Sequence, residues 1–282
     1  MKIRLIIRKT CKERLLVLLV GLIIYRAAFS QCVGSVNSFQ QGEKLNYKAL
    51  YTWGFVWIHA ANIQLSASTQ KWGSAPAYQF VATASSVKTF DWFFKVRDIF
   101  QSWVKTDKFT PVWFSQHTSE GGWEVKQTYT FDPAGKSFYH YGKFGHRPLK
   151  QDTVAIPPCT FDVLSAIYYC RTIAFNRYKV NDKLTVNTLI DGKLYPIQFQ
   201  FLGKETIPGL HGKEKYSCYK IEVTAVESTN FKEGQKVNIW FTDDDNHLPI
   251  LIEAKVVVGS VKGYLDSYEG LKNPLRSRIN TK

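Results

Sequence analysis

The sequence predicts a mainly β protein, an antiparallel barrel-like or curved double sheet with one amphipathic helix near residues 160–172. Three observations lead there. Apolar and polar residues alternate with period two along most of the chain after residue 40, the pattern of half-buried strands. Turn-forming residues punctuate that alternation at short intervals, as antiparallel neighbours require. One central segment alone switches to helical spacing.

The first strand reads from Leu45-Asn46-Tyr47-Lys48-Ala49-Leu50-Tyr51, and Gly54 separates it from a second at residues 56–65. Further alternation marks 78–84, 99–105, 112–116, 123–131 and 137–141, with Asp132-Pro133-Ala134-Gly135 as a turn between the last two. Pro157-Pro158 then stops strand formation. In residues 160–171, Phe161, Leu164, Ala166, Ile167 and Tyr168 recur at helical spacing, and Thr160 or Asp162 supplies an N-cap. Strands resume at 183–189, 194–201, 216–225, 236–241, 250–257 and 261–268. Asp191-Gly192 between two alternating runs is a two-residue hairpin signal. Gly42-Glu43-Lys44-Leu45 and Asn181-Asp182-Lys183-Leu184 open the two halves with similar phrases, which suggests a duplicated β-unit.

The net charge of +14 over 282 residues suggests nucleic acid as a partner until its distribution is read. Lys2, Arg4, Arg8, Lys9, Lys12, Arg14 and Arg26 crowd the first 31 residues against Glu13 alone. Between them Leu15-Leu16-Val17-Leu18-Leu19-Val20-Gly21-Leu22-Ile23-Ile24-Tyr25 is an apolar run too short for a membrane span. With Ala28 and Ser30 at the cleavage positions, residues 1–30 read as a secretory signal peptide. Lys272, Arg276, Arg278 and Lys282 form a basic tail over 272–282, expected to be flexible. What lies between, 31–271, reads as a single, nearly neutral β-rich domain, its halves at about 37–157 and 180–270 joined by the helix. No window interleaves Lys/Arg with stacking aromatics, so a nucleic-acid partner is not expected. Nor is a transmembrane segment after cleavage. The chain is expected in the periplasm or on the outer membrane. Gln31 and Phe29 fit poorly before a lipidated Cys32.

The expected export puts Cys32, Cys159, Cys170 and Cys218 in an oxidising compartment, where three pairings are open and a buried free thiol is the reading for Cys170. Metal spacing of the C-x-x-C kind is missing, and no cofactor is expected. No serine-hydrolase elbow, phosphate loop or H-E-x-x-H stands in the chain. His59, His117, His140, His146, His211 and His247 form no close pair. Asp243-Asp244-Asp245-Asn246 offers oxygens to calcium, but such residues are also ordinary turn formers. Glu120 and Glu124, read as one strand, share a face about 13 Å apart, outside the separations of glycosidase pairs.

One constellation points to a ligand. Phe90-Asp91-Trp92-Phe93-Phe94 precedes Arg97-Asp98 and then Ser102, so Trp92, Phe93, Arg97, Asp98 and Ser102 are the candidate site: aromatic faces for sugar C–H groups, polar groups for hydroxyls. A core-packing aromatic patch with a structural ion pair explains the same residues. No catalytic residue is assigned.

Gly42-Glu43-Lys44-Leu45-Asn46-Tyr47, Val96-Arg97-Asp98 with Phe100 and Ser102, Glu120-Gly121-Gly122 and Phe131-Asp132 form a recognisable series. It continues with Asp162-Val163-Leu164-Ser165-Ala166, Tyr168-Tyr169 and Arg171, then Trp240, Thr242-Asp243-Asp244, Leu248-Pro249 and Gly259-Ser260. Together they resemble the bacterial DUF3108 family of exported proteins, from about residue 39 to 270. The resemblance implies a β-rich exported protein with a YmcC-like fold, named after a lipoprotein linked to capsule polysaccharide export. It supplies no catalytic residues. The expected function is a non-catalytic β-scaffold that binds a glycan, lipid or envelope partner. The alternatives are an envelope hydrolase with a distributed active site and a lipid carrier with an apolar cavity.

Overall fold

A computed structural model describes residues 36–53, 55–224, 234, 236–255 and 259–280. The expected signal peptide and Cys32 lie outside the described residues.

The fold is dominated by antiparallel strands. The first half is a meander of β1 (Glu43–Trp53), β2 (Val56–Trp72), β3 (Ala75–Ser86), β4 (Val96–Lys105), β5 (Pro111–Glu120), β6 (Trp123–Phe131), β7 (Ser137–Phe144) and β8 (Lys150–Ala155). A three-residue strand, β9 (Thr160–Asp162), leads into helix α1 (Val163–Cys170). The second meander follows: β10 (Lys183–Ile190), β11 (Lys193–Pro208), β12 (Glu214–Thr224), β13 (Lys236–Thr242), β14 (Pro249–Lys255) and β15 (Ser260–Glu269). The short β16 (Arg278–Asn280) pairs with β12.

The two meanders join where β1 pairs antiparallel with β15, giving the continuous order β8-β7-β6-β5-β4-β3-β2-β1-β15-β14-β13-β12-β11-β10-β9. The sheet is not closed, since β8 and β9 are its two edges. Those edges are nevertheless consecutive in the chain. Only residues 156–159 separate Ala155 from Thr160, and five Cα steps reach at most about 19 Å. So short a link forces the large sheet to curl until its margins approach, and the curl makes an inside.

The inside is filled unevenly. In the first half Phe39, Phe80, Phe109 and Phe161 are fully buried, and Tyr168 of α1 stacks on Phe80 with ring centroids 3.8 Å apart. In the second half Cys170, Ile173, Phe175, Phe201, Tyr219, Ile221 and Phe241 form a separate buried cluster. Helix α1 serves both, its residues packing to one side or the other.

The helix is shorter than the sequence suggests, because Thr160 to Asp162 pair in parallel with β10 before the chain turns. Asp162 is the N-cap: its carboxylate accepts the Leu164 and Ser165 amides at 3.0 and 2.9 Å and the Ser165 and Ser102 hydroxyls at 2.7 and 2.8 Å. Asp191 and Gly192 both take positive φ, 50° and 72°, in the tight turn of the β10–β11 hairpin. Strands β8, β9 and β16 have no counterpart in the alternation, being short and set by their partners.

Within the segment expected to be a basic flexible tail, the described residues 272–280 have backbone partners: Asn273 N–H donates to Asn246 Oδ1, Ser277 N–H to Asp244 Oδ2, and β16 adds to the β12 edge. Cys170 and Cys218 are free thiols in the interior, whereas Cys159 is disulfide-bonded.

Because Asp162 collects four donors in a fully buried position, Asp162→Ala is expected to cost about 2–4 kcal/mol, a lost cap plus a stranded Ser102 hydroxyl. Urea unfolding of the two chains measures it.

Candidate functional site

Helix α1 does not fill the curl. Between it and strands β2 to β6 lies a cavity of about 430 Å³. Ile63, Leu65, Ala82, Ala84, Phe100, Phe114 and Val125 come from the sheet. Val163, Leu164 and Ile167 come from one face of the helix, and Leu189 and Ile190 from the end of β10. These side chains alternate along each strand with outward-facing polar ones, so the period-two pattern itself creates the lining.

Polar groups gather at one end. Glu120, Thr118, Gln116 and Asp191 line the cavity there. Asp98 sits beside Glu120: it pairs in register with Thr118 while Val96 pairs with Glu120, which makes the two acids diagonal neighbours on the inner face. Their carboxyls hydrogen-bond to each other. Partial burial, then the neighbouring Glu120 charge, push the Asp98 carboxyl up to about 7, although Ser119 N–H donates to it at 3.1 Å. Burial also raises Asp191, whose turn is held across the interior against β6 and β7. Gln127 reaches Asp191 at 3.4 Å, and Gly192 N–H donates to the Tyr129 hydroxyl at 2.9 Å. Gly192 is obligatory there, since a Cβ would lie 2.2 Å from His140. His140 is wholly buried behind Gln127 and bonded to Asp152, and burial holds it below its ordinary value. With one ring nitrogen on Asp152 and the other on Gln127, His140 orients Gln127 rather than facing the cavity.

The residues proposed from sequence do not meet as one platform. Arg97 and Asp98 are adjacent on β4, so their side chains point to opposite faces. Arg97 turns outward and binds Asp91 at 2.7 Å, and together with Ser86 it holds the Asp91 carboxyl down at about 2. Asp98 alone of the five lies beside the cavity's acidic end, against the lining residue Glu120. Ser102 points inward too but is fully buried in its bond to Asp162, a packing role. Trp92 and Phe93 lie in the β3–β4 loop, 84% and 66% exposed.

Glu120 and Glu124 also separate. The sequence reads them on one strand, but Gly121 and Gly122, at φ 57° and 89°, turn the chain between them. Glu124 then faces outward opposite Ser119, paired with Lys126 and His117. The partnership of Asp98 with Glu120 was missed for the same reason: it needs the β4–β5 register. In the Asp243-to-Asn246 turn, Asp243 binds Lys204 and Asp244 accepts the Asn246 amide and Thr242 hydroxyl, as turn residues do. Among the described residues no cluster of His, Cys, Asp and Glu is placed to hold a metal ion. None of the described helices is long and apolar enough to cross a membrane.

Comparison with known proteins bears on the fold and the family. A β-barrel-like protein of the DUF1849 family from Brucella abortus superposes with a TM-score of 0.52 at 9% identity, covering 82% of this chain and 98% of its own. A protein from Parabacteroides distasonis, provisionally classed as a lipoprotein, covers 84% of this chain and 100% of its own at 11% identity, with a TM-score of 0.32. No curated protein matches the chain. The family profile of proteins of unknown function DUF3108 matches residues 46–266, most of the chain and every strand that builds the cavity. The chain belongs to the DUF3108 family.

Proposed function

We propose that this is an exported, non-catalytic binding protein of the cell envelope. Its cavity takes the apolar body of an amphipathic molecule, and Asp98, Glu120 and Asp191 accept hydrogen bonds from that molecule's hydroxyl or ammonium head. The observation that carries the reading is the cavity itself. Its volume of about 430 Å³ falls within the range of small-molecule sites, and such sites combine an apolar lining with a few convergent polar groups. The wall facing the helix is apolar, and the acids, Glu120 and Asp191 with Asp98 beside them, are confined to one end. That polarity suits a ligand with one wet end and one dry one.

Among the readings weighed from sequence, this favours the carrier with an apolar cavity over the flat sugar-binding face, because Asp98 and Ser102 point inward from β4 while Arg97 points outward and Trp92 and Phe93 stand exposed in the β3–β4 loop. Export itself is supported by the leader at residues 1–30. Acid–base catalysis is the second reading, favoured by one observation. Two adjacent carboxyls, one of them pushed up to about 7, share a proton near neutrality, as a general acid and base do. Binding ranks first because most of the wall is aliphatic.

Native mass spectrometry of the chain purified gently from its own envelope tests the proposal. A co-purifying amphiphile is expected, and Ile167→Trp, which fills the cavity from the helix side, should lower its occupancy at least ~10-fold. A chain that carries none, and that gains no thermal stability from envelope lipid extracts, contradicts it. A co-purified molecule converted to product on incubation favours the enzyme instead.

Ionisation gives a second test. Asp98 rises from an ordinary 3.8 to about 7 on folding. A raised acid binds its proton more tightly in the folded state, so stability is lost as pH climbs from about 4 to about 7. Asp98→Asn should flatten that loss and leave the variant more stable than the parent at pH 8, measured by denaturant midpoint. Affinity for a cationic amphiphile should rise through pH 7 in the parent and stay level in the variant.

A further inference from the structure

The loops at one end of the sheet carry a feature that the cavity does not use. The β1–β2, β3–β4, β5–β6 and β7–β8 connections all emerge at the same end, because the strands alternate in direction. At the β1–β2 tip Phe55 is completely exposed, and Val56, Trp57 and Ile58 stay between 39% and 53% exposed. The β3–β4 loop adds Trp92, Phe93 and Phe94, the last packed where a Cβ on Gly121 would fall. The β7–β8 loop adds Leu149. Side chains of this size are not left in water by chance in so many neighbouring loops.

The exposed charge around them is predominantly basic. Lys88 and Lys95 flank the β3–β4 aromatics, and Lys143, Arg147 and Lys150 surround Leu149; all five are exposed. Lys262 lies over the ring of Trp57 at 5.2 Å. The acids among the described residues at this end have partners or belong to the cavity's polar end. Glu120 and Asp191 line the cavity with Asp98 beside Glu120, Asp91 binds Arg97, Glu124 binds Lys126, Asp152 binds Lys150, Glu222 binds Lys236, and Glu253 binds Lys262. At the opposite end the turns at 73–74, 106–110 and 132–136 carry one acid and one base each or neither, and their aromatic neighbour Trp72 packs against Trp103 and Trp113.

Exposed Trp and Phe at loop tips within a fringe of Lys and Arg match a bilayer whose surface is anionic and whose interface accepts aromatic rings. We propose that this end of the sheet docks on an anionic lipid surface, the two aromatic tips entering the headgroup layer and the five cations lying on the phosphates. Glu120, Trp123, Asp191 and Ala84 place one end of the cavity at the same end of the strands. Docking therefore brings the cavity toward the membrane, though the contact itself depends only on the tips.

The test is flotation of the chain, as isolated from cells, with vesicles of phosphatidylglycerol and of phosphatidylcholine. All chains share the same N-terminus, so the apolar residues 15–25 contribute equally to each. Binding to phosphatidylglycerol is expected to exceed binding to phosphatidylcholine and to fall with salt. Lys88→Gln, Lys95→Gln and Arg147→Gln together should weaken it ~100-fold, at about fivefold per cation. Phe55→Ser, Trp57→Ser, Trp92→Ser and Phe93→Ser together should abolish the excess while the denaturant midpoint is held. Brominated lipid should quench tryptophan fluorescence in the parent and much less in that variant. Equal binding by parent and both variants overturns the proposal. So does a parent that is dimeric by sedimentation velocity and becomes monomeric when the tips are changed, which would give the patch to a second copy. Ligand occupancy of the cavity unchanged in the tip variant separates this result from the binding proposal.

Discussion

The structure turns on one buried ion pair. Arg171, at the C-cap of α1, is 1% exposed, and it meets Glu43, the first residue of β1 and wholly buried, through two bonds of 2.6 and 2.8 Å. A guanidinium taken out of water needs partners for its donors, and here each of its three nitrogens has at least one. The remaining donors reach the carbonyls of Ser38 and Asn246 at 2.8 to 3.2 Å, and its faces lie 5.6 and 5.5 Å from the rings of Phe39 and Tyr168. The carbonyl of Arg171 in turn accepts from Ser38 and bonds His247 Nδ1. Four separated stretches of chain are thereby fixed at one point: the approach to β1, β1 itself, the end of the helix, and the β13–β14 turn. Asn246 carries the connection on to Asn273 and so to the C-terminal segment.

This placement has consequences for the cavity. A helix of eight residues cannot hold itself in place, and little of its stability is local. Asp162 fixes its start to β4 through Ser102, and Arg171 fixes its end to β1. Held at both ends, α1 presents Val163, Leu164 and Ile167 to the interior at a fixed distance from the sheet. The cavity is thus the space left when a short rigid helix is pinned inside a wide curl, rather than a defect of packing. The price of the pin is the desolvation of two charges, which an apolar pair of the same shape would avoid. What the charged pair adds is direction: only one partner in reach of Arg171 is a carboxylate.

Much of this is legible in the sequence, and the illegible part has a common cause. Period two and turn dipeptides mark the main strands, and Asp191-Gly192 marks its hairpin, because those signals are local. The phrases Gly42-Glu43-Lys44-Leu45, Asp162 to Arg171 and Thr242-Asp243-Asp244 stand out one by one. Their meeting around Arg171 is a fact of topology, separated by 128 residues in the case of the ion pair. The site fared the same way. Asp98 is in the candidate set for its neighbours' sake, yet Arg97 and Trp92 face elsewhere, and its true partner Glu120 lies across a strand pair. Gly121-Gly122 was the available clue that Glu120 ends one strand and Glu124 belongs to the next. Strands β9 and β16, three residues each, are too short for a period to register, and the edge strand β8 opens on three polar residues, Lys150-Gln151-Asp152, with no apolar alternation.

A double-mutant cycle on Glu43 and Arg171 tests the central claim most directly. Urea unfolding is measured for the parent, Glu43→Leu, Arg171→Met and the double variant. If the pair fixes the fold, each single change strands a buried charge and costs about 3–5 kcal/mol. The double change then costs well under the sum, a coupling of about 2 kcal/mol or more. Single changes that cost under about 1 kcal/mol, or costs that add within about 0.5 kcal/mol, would contradict the account.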